Sequence, residues 1–147
     1  MTVIAWDGAV MAADRRAVDS GVELLVSKLR RFDGMLVGIS GEAAHAEELF
    51  AWFAAGASPE AYPPAQREDA TWCAVLAVRP DGTLLRYGLT PYPIQIANSF
   101  AAIGSGRDYA LAAMHLGRGA RQAVEVACAL NTSCGGGIDH LFLGGKL

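Results

Sequence analysis

Two Asp-Gly pairs mark chain reversals early in the sequence, and they constrain the fold more than any other feature. Asp7-Gly8 separates the apolar runs 3–6 and 9–13, and Asp33-Gly34 separates Leu29–Phe32 from Met35–Ser40. Aspartate and glycine accept the left-handed backbone of a tight hairpin turn, so each pair predicts two antiparallel strands. Residues 22–26 read as a further short strand. At Gly41 the period changes: Ala43, Ala46, Phe50 and Phe53 recur at helical spacing over 42–55, with Glu47 and Glu48 to one side. Residues 58–67 hold three prolines and predict a loop. Strands return at 71–79 and 83–87, around Pro80-Asp81-Gly82, and at Ile94–Ile96 and Ala101–Ile103. After Gly104-Ser105-Gly106 a helical stripe begins at Asp108 and carries Tyr109, Ala112, Ala113 and Leu116. A second stripe at 121–130 runs through Val124, Ala127 and Leu130. Gly135-Gly136-Gly137 then precedes a last strand at 138–143.

Strand runs separated by helix runs oppose βαβ winding. They predict an α+β fold, one domain over 1–147, with two stacked antiparallel sheets and a helical layer on each outer side. Apolar residues are 52% of the 147 and charged residues 18%. That composition sustains a core without staples, and its apolar surplus suits burial in an oligomer. The net charge is -3, and the basic residues gather only as Arg15-Arg16 and Arg30-Arg31, which excludes a nucleic-acid face. No apolar run reaches membrane-spanning length, and the first residues lack the layout of a signal peptide, so the cytoplasm is the expected compartment. Cys73, Cys128 and Cys134 show no CxxC spacing, and His45, His115 and His140 show no ligand spacing. Neither a metal nor a disulfide framework is expected, and Cys73 and Cys128 read as buried thiols. Gly104-Ser105-Gly106 lacks the further glycine and lysine of a nucleotide fingerprint, so it is not read as a phosphate-binding loop, and chemistry at Thr2 requires no organic cofactor.

The candidate chemistry begins at Thr2. A threonine hydroxyl is a weak nucleophile that needs a base beside it, and a threonine at a chain terminus carries one in its own α-amine. Met1 precedes a small side chain, the usual substrate for methionine removal. Asp14 closes the second strand, and Lys28 stands in an otherwise apolar region. A lysine held between an aspartate and a threonine favours the alkoxide, while the aspartate fixes its position. Gly41 lies between a strand and a helix, where a backbone N–H at the positive end of the helix dipole can serve an oxyanion. Taken singly, Thr2 is also an ordinary strand residue, Asp14 a turn residue, Lys28 a solvated one and Gly41 a helix-entry glycine.

In sequence order, Thr2-Val3-Ile4-Ala5-Trp6, Met11-Ala12-Ala13-Asp14, Lys28-Leu29, Ile39-Ser40-Gly41-Glu42, Gly104-Ser105-Gly106 and Ser133-Cys134-Gly135-Gly136-Gly137-Ile138-Asp139 follow one another. This ordered set resembles proteasome β subunits and HslV peptidases, and it spans 2–143. The resemblance implies the four-layer αββα sandwich of the N-terminal-nucleophile hydrolases and cleavage of peptide bonds inside a homo-oligomeric ring or double ring. It also implies unfolded or peptide substrates and an ATP-dependent unfoldase as partner. It places the nucleophile on Thr2 and the orienting acid on Asp14. The cation falls on Lys28, the oxyanion donor on Gly41, and a hydrogen bond near the terminal amine on Ser105. Two positions depart from the family pattern: Asn131 stands where an aspartate is usual, and Cys134 where a serine is usual. An amide supplies no negative charge, and a thiol is a weak hydrogen-bond partner. The same mapping implies a specificity pocket lined by Ala17, Val26, Ile39 and Ala43, which suits apolar side chains before the scissile bond. Glu47, one helical turn beyond Ala43, would turn it towards basic ones if it reached the floor. A ring-forming scaffold without activity and a small-molecule amidase remain as alternatives.

Overall fold

The computed structural model describes residues 2–64 and 73–144. Met1, the end of the proline-rich loop at 65–67 and the expected strand start at 71–72 lie outside the described residues. Along the chain run β1 (Ile4–Trp6), β2 (Val10–Asp14), β3 (Arg16–Asp19), β4 (Val22–Leu25), β5 (Leu29–Phe32), β6 (Met35–Ser40) and α1 (Ala43–Ala54). After a short helical turn at Pro59–Ala61 come β7 (Ala74–Val78), β8 (Leu84–Tyr87), β9 (Ile94–Ile96), β10 (Ala101–Ile103), α2 (Arg107–His115), α3 (Ala120–Leu130) and β11 (Ile138–Phe142). The first sheet has strand order β10-β1-β2-β11 and the second β5-β6-β7-β8-β9, and neighbours in both are antiparallel.

The period-2 alternation of a strand sorts these side chains into three cores. Ile4, Trp6, Met11 and Ala13 of the first sheet meet Leu36, Leu76, Val78 and Leu84 of the second, and this core holds the sheets face to face. The residues between them point outward. Val37, Ile39, Val75 and Ala77 pack under Leu49, Phe50 and Phe53 of α1. Val3, Ala5 and Ala12 pack under Ala113, Val124 and Ala127 of α2 and α3. The central strands β1, β2, β6 and β7 are therefore buried on both faces, which explains why they read as near-continuous apolar runs. The outcome is the αββα sandwich expected from the order of elements. No helix among the described residues is long and apolar enough to cross a membrane.

The turns differ in part from expectation. Asp33 and Gly34 both have left-handed φ, 49° and 84°, and close β5 onto β6 as expected. At the first hairpin the reversal is shifted by one residue. Asp7 N–H donates to the Val10 carbonyl at 3.1 Å, and Gly8 with Ala9 forms the turn. Asp7 does better as an acceptor than as a turn residue. One carboxylate oxygen takes the N–H groups of Ala9 and Val10 at 2.9 and 2.8 Å. The other takes Ala120 N–H at 2.8 Å. It thereby caps α3, whose own N-cap, Gly119, has no side chain. The strand β3 goes beyond the expected elements. It pairs with β4 through Ser20-Gly21, at φ 51° and 79°, as a ribbon apart from both sheets.

Candidate active site

Thr2 sits where the start of β1 meets the turn after β10, because Ile4 pairs with Ile103 and the two chains run on side by side. Thr2 is 4% exposed. Its N–H donates to Ser105 Oγ at 3.1 Å, and its carbonyl accepts from Gly106 N–H at 3.0 Å and from the Ser105 hydroxyl at 3.4 Å. This approach requires glycine on both sides of Ser105. Gly104 has φ 96°, and a Cβ there would stand 2.2 Å from the Thr2 carbonyl oxygen. A Cβ on Gly106 would stand 2.9 Å from both Cys134 Sγ and Val3 Cβ.

Asp14, at the end of β2, is fully buried, and its two oxygens join three segments. Oδ1 accepts from Lys28 Nζ at 2.8 Å and from Val3 N–H at 3.1 Å, and Oδ2 accepts from Gly135 N–H at 3.1 Å. A buried charge is tolerable only when paired and hydrogen-bonded, and this arrangement meets that condition. Lys28, 7% exposed, is anchored by its carbonyl, which accepts from Ile39 N–H at 3.1 Å. Its ammonium reaches past Asp14 to donate to Thr2 Oγ1 at 3.1 Å. The sequence-predicted acid, cation and hydroxyl thus form one hydrogen-bonded chain.

On the far side of Ser105 lies the segment before β11. Asn131 donates from Nδ2 to the Ser105 carbonyl at 3.3 Å and accepts Ser133 N–H at 2.9 Å, so its amide joins the turn to this segment. Arg16 donates from Nη1 to the carbonyls of Thr132 and Cys134 at 2.8 and 3.2 Å. The Cys134 thiol is buried beside Ser105. Burial, reinforced by the negative Asp14, pushes it above the ordinary thiol range, so it stays protonated at neutral pH.

Thr2 Oγ1 and Lys28 face a cavity of about 640 Å³. Ala17, Val26, Ile39, Ala43 and Glu47 all line it, and so does Gly41, just before the start of α1. Gly41 has φ 133°, a conformation that side-chain-bearing residues avoid. Of the twelve sequence-predicted residues, nine flank the cavity or the Lys28 ion pair, while Ser105 bonds Thr2, Asn131 bonds Ser105 and Cys134 lies beside Gly106. Sequence reasoning missed Arg16, Phe50 and Arg30. Phe50 was within reach, because it follows Glu47 by three positions on the same helical face. Arg30 pairs with Glu47 at 2.6 Å and lies 4.0 Å over the Phe50 ring.

No family model and no curated protein matches the sequence. Solved structures do match in three dimensions. BPH of Thiobacillus denitrificans in complex with epoxomicin superposes with a TM-score of 0.74 at 22% identity, over 97% of each chain. A second structure of Thiobacillus denitrificans BPH gives 0.73 at 21% identity, again over 97% of each chain. Eukaryotic HslV from Trypanosoma brucei gives 0.69 at 20% identity, over 97% of this chain and 98% of that one. At such identities the likeness is one of fold. Two antiparallel sheets between helical layers, matched to these neighbours almost end to end, give this chain a proteasome-β and HslV-like fold.

Proposed function

We propose that the chain is a threonine-type peptidase subunit that uses Thr2 as its nucleophile once Met1 has been removed. The observation that carries this reading is the buried Lys28 ammonium, 2.8 Å from Asp14 and 3.1 Å from Thr2 Oγ1, at the edge of an apolar cavity. A cation so placed stabilises oxygen as it becomes negative. Thr2 Oγ attacks the carbonyl carbon of the scissile bond, and its proton passes to the free Thr2 amine, directly or through water. The carbonyl oxygen becomes an oxyanion held by the Gly41 N–H. Collapse of this intermediate breaks the C–N bond, the leaving amine takes the proton, and an ester to Thr2 remains. Water then attacks the ester and restores the hydroxyl. Ser105 orients the Thr2 nitrogen, and Asn131 and Cys134 hold the Ser105 turn. No step calls for a metal or an organic cofactor.

The neighbouring folds support self-association, and we propose a homo-oligomeric ring, single or double, acting on unfolded or peptide substrates with an ATP-driven unfoldase as partner. The test is intact-mass spectrometry after incubation with a peptide epoxyketone, an electrophile able to react with both amine and hydroxyl of one residue. The wild-type protein, without Met1, is expected to gain one adduct, and Thr2→Ala none. Retention of Met1 by the whole population, or an adduct on Cys134 that survives Thr2→Ala, overturns the assignment. Retention with an assembled ring favours the scaffold alternative.

A further inference from the structure

Glu47 and Phe50 both line the cavity next to Thr2, and one side chain from another element contacts both. Arg30, on β5, donates from Nη2 to Glu47 Oε1 at 2.6 Å, and its guanidinium carbon lies 4.0 Å above the centre of the Phe50 ring. Residues three apart on a helix are surface neighbours, so one planar guanidinium can cover the pair. The other charges at the cavity are differently engaged. Lys28 is held by Asp14 at 2.8 Å. Arg16 is held by Glu23 at 2.5 Å and by the carbonyls of Thr132 and Cys134. Glu42 is exposed at the N-cap of α1.

We propose that Arg30 is a specificity-determining residue, which cancels the charge of Glu47 and so makes the pocket select uncharged, apolar side chains just before the scissile bond. This rests on the peptidase reading given above. A substrate lysine or arginine that sought Glu47 must first displace Arg30 from both its carboxylate and its ring. A substrate aspartate or glutamate meets a guanidinium that is already satisfied. An apolar side chain instead meets Ala17, Val26, Ile39 and Ala46 and leaves the Arg30–Glu47 pair in place.

The test is a set of peptides that differ only in that side chain, leucine, lysine or glutamate, with kcat/KM measured for each. Wild type is expected to prefer leucine. Arg30→Met keeps an apolar contact for Phe50 but frees Glu47, and should raise the lysine-to-leucine ratio by about threefold or more, the scale of an exposed ion pair. The gain should shrink in 0.5 M salt, where exposed charges are screened within about 4–5 Å. Glu47→Gln, which frees Arg30, should raise the glutamate-to-leucine ratio instead. In the double variant both ratios should return towards wild type. Ratios unchanged in both single variants, or a lysine gain that persists in the double variant, overturn the role of Arg30 while leaving the peptidase reading intact. Failure of the wild-type protein to cleave any peptide overturns that reading and this one together.

Discussion

Lys28 is the residue on which the site turns. Its ammonium is buried against Asp14, whose carboxylate also accepts, among the described residues, from the backbone donors of Val3 and Gly135. Replacing it with methionine leaves a buried carboxylate without a counter-charge. Lys28→Met should therefore cost about 3–5 kcal/mol in urea unfolding, the usual penalty for breaking a buried pair. Peptide hydrolysis should fall by about a hundredfold or more, the scale seen when one preorganised donor is lost. Unchanged stability would mean that the pair does not form. The thiols give a second residue-scale expectation. Burial pushes Cys73 from an ordinary 9.0 up to about 11, and Cys128 likewise to about 11. Between those values the folded chain keeps protons that the unfolded chain has released. Stability is then fully present below pH 9 and is lost as pH rises through 11. Tyr62 and Tyr87, also raised by burial, act in the same direction above pH 10. The melting temperature should drop across this window, less steeply in Cys73→Ala; a flat profile contradicts it. Thr2, Asp14 and Lys28 were legible in the sequence only as members of an ordered set. Spacing alone could not join Lys28 to Asp14, because the join is made by two sheets packing face to face. Arg30 escaped for the same reason, since its partners lie on α1, 17 and 20 positions away.

At the scale of elements, the hairpins, α1, α2, α3 and the last strand were readable because their periodicity and turn chemistry are local. β3 was not, although Ser20-Gly21 carries the turn signal that reveals it. The flanking residues 16–19 and 22–25 are exposed or half-buried and show no clean alternation. The turn Gly104–Gly106 is the element whose geometry the site depends on most. Gly104→Ala would set a methyl group 2.2 Å from the Thr2 carbonyl oxygen at φ 96°, so the Thr2 backbone has to shift. A move of about 1 Å at the nucleophile can cost a hundredfold in rate, and left-handed strain adds about 1–3 kcal/mol. Gly104→Ala should therefore lose most activity while still folding, as judged by circular dichroism and turnover together. Full activity would show that Thr2 needs no fixed carbonyl. Gly21→Ala, at a turn with open space around its Cβ position, is the matching control: it carries the strain without the steric clash.

For the whole molecule, the composition announced an apolar surplus but could not say where it lies. Part of it lines the three cores. Part is outside: Val22 is 60% and Leu25 56% exposed on the β3–β4 ribbon, while Leu116 is 81% and Leu130 62% exposed at the ends of α2 and α3. If the ribbon is a subunit contact, native mass spectrometry at micromolar concentration should find a multiple of the 15.4 kDa chain. Val22→Asp combined with Leu24→Asp should lower that multiple, because a charge in an apolar interface is costly. A wild-type monomer would sink the ring.

Asp14 touches the chain near its beginning, through Val3, and near its end, through Gly135, which lies 121 positions further on. The carboxylate that holds Lys28 beside Thr2 is thus fixed in part by the segment that leads into the last strand, docked beside β2. A nascent chain on the ribosome, or one caught half-folded, holds the same residues without that alignment. If Thr2 is the nucleophile proposed above, readiness to react arrives together with the finished fold.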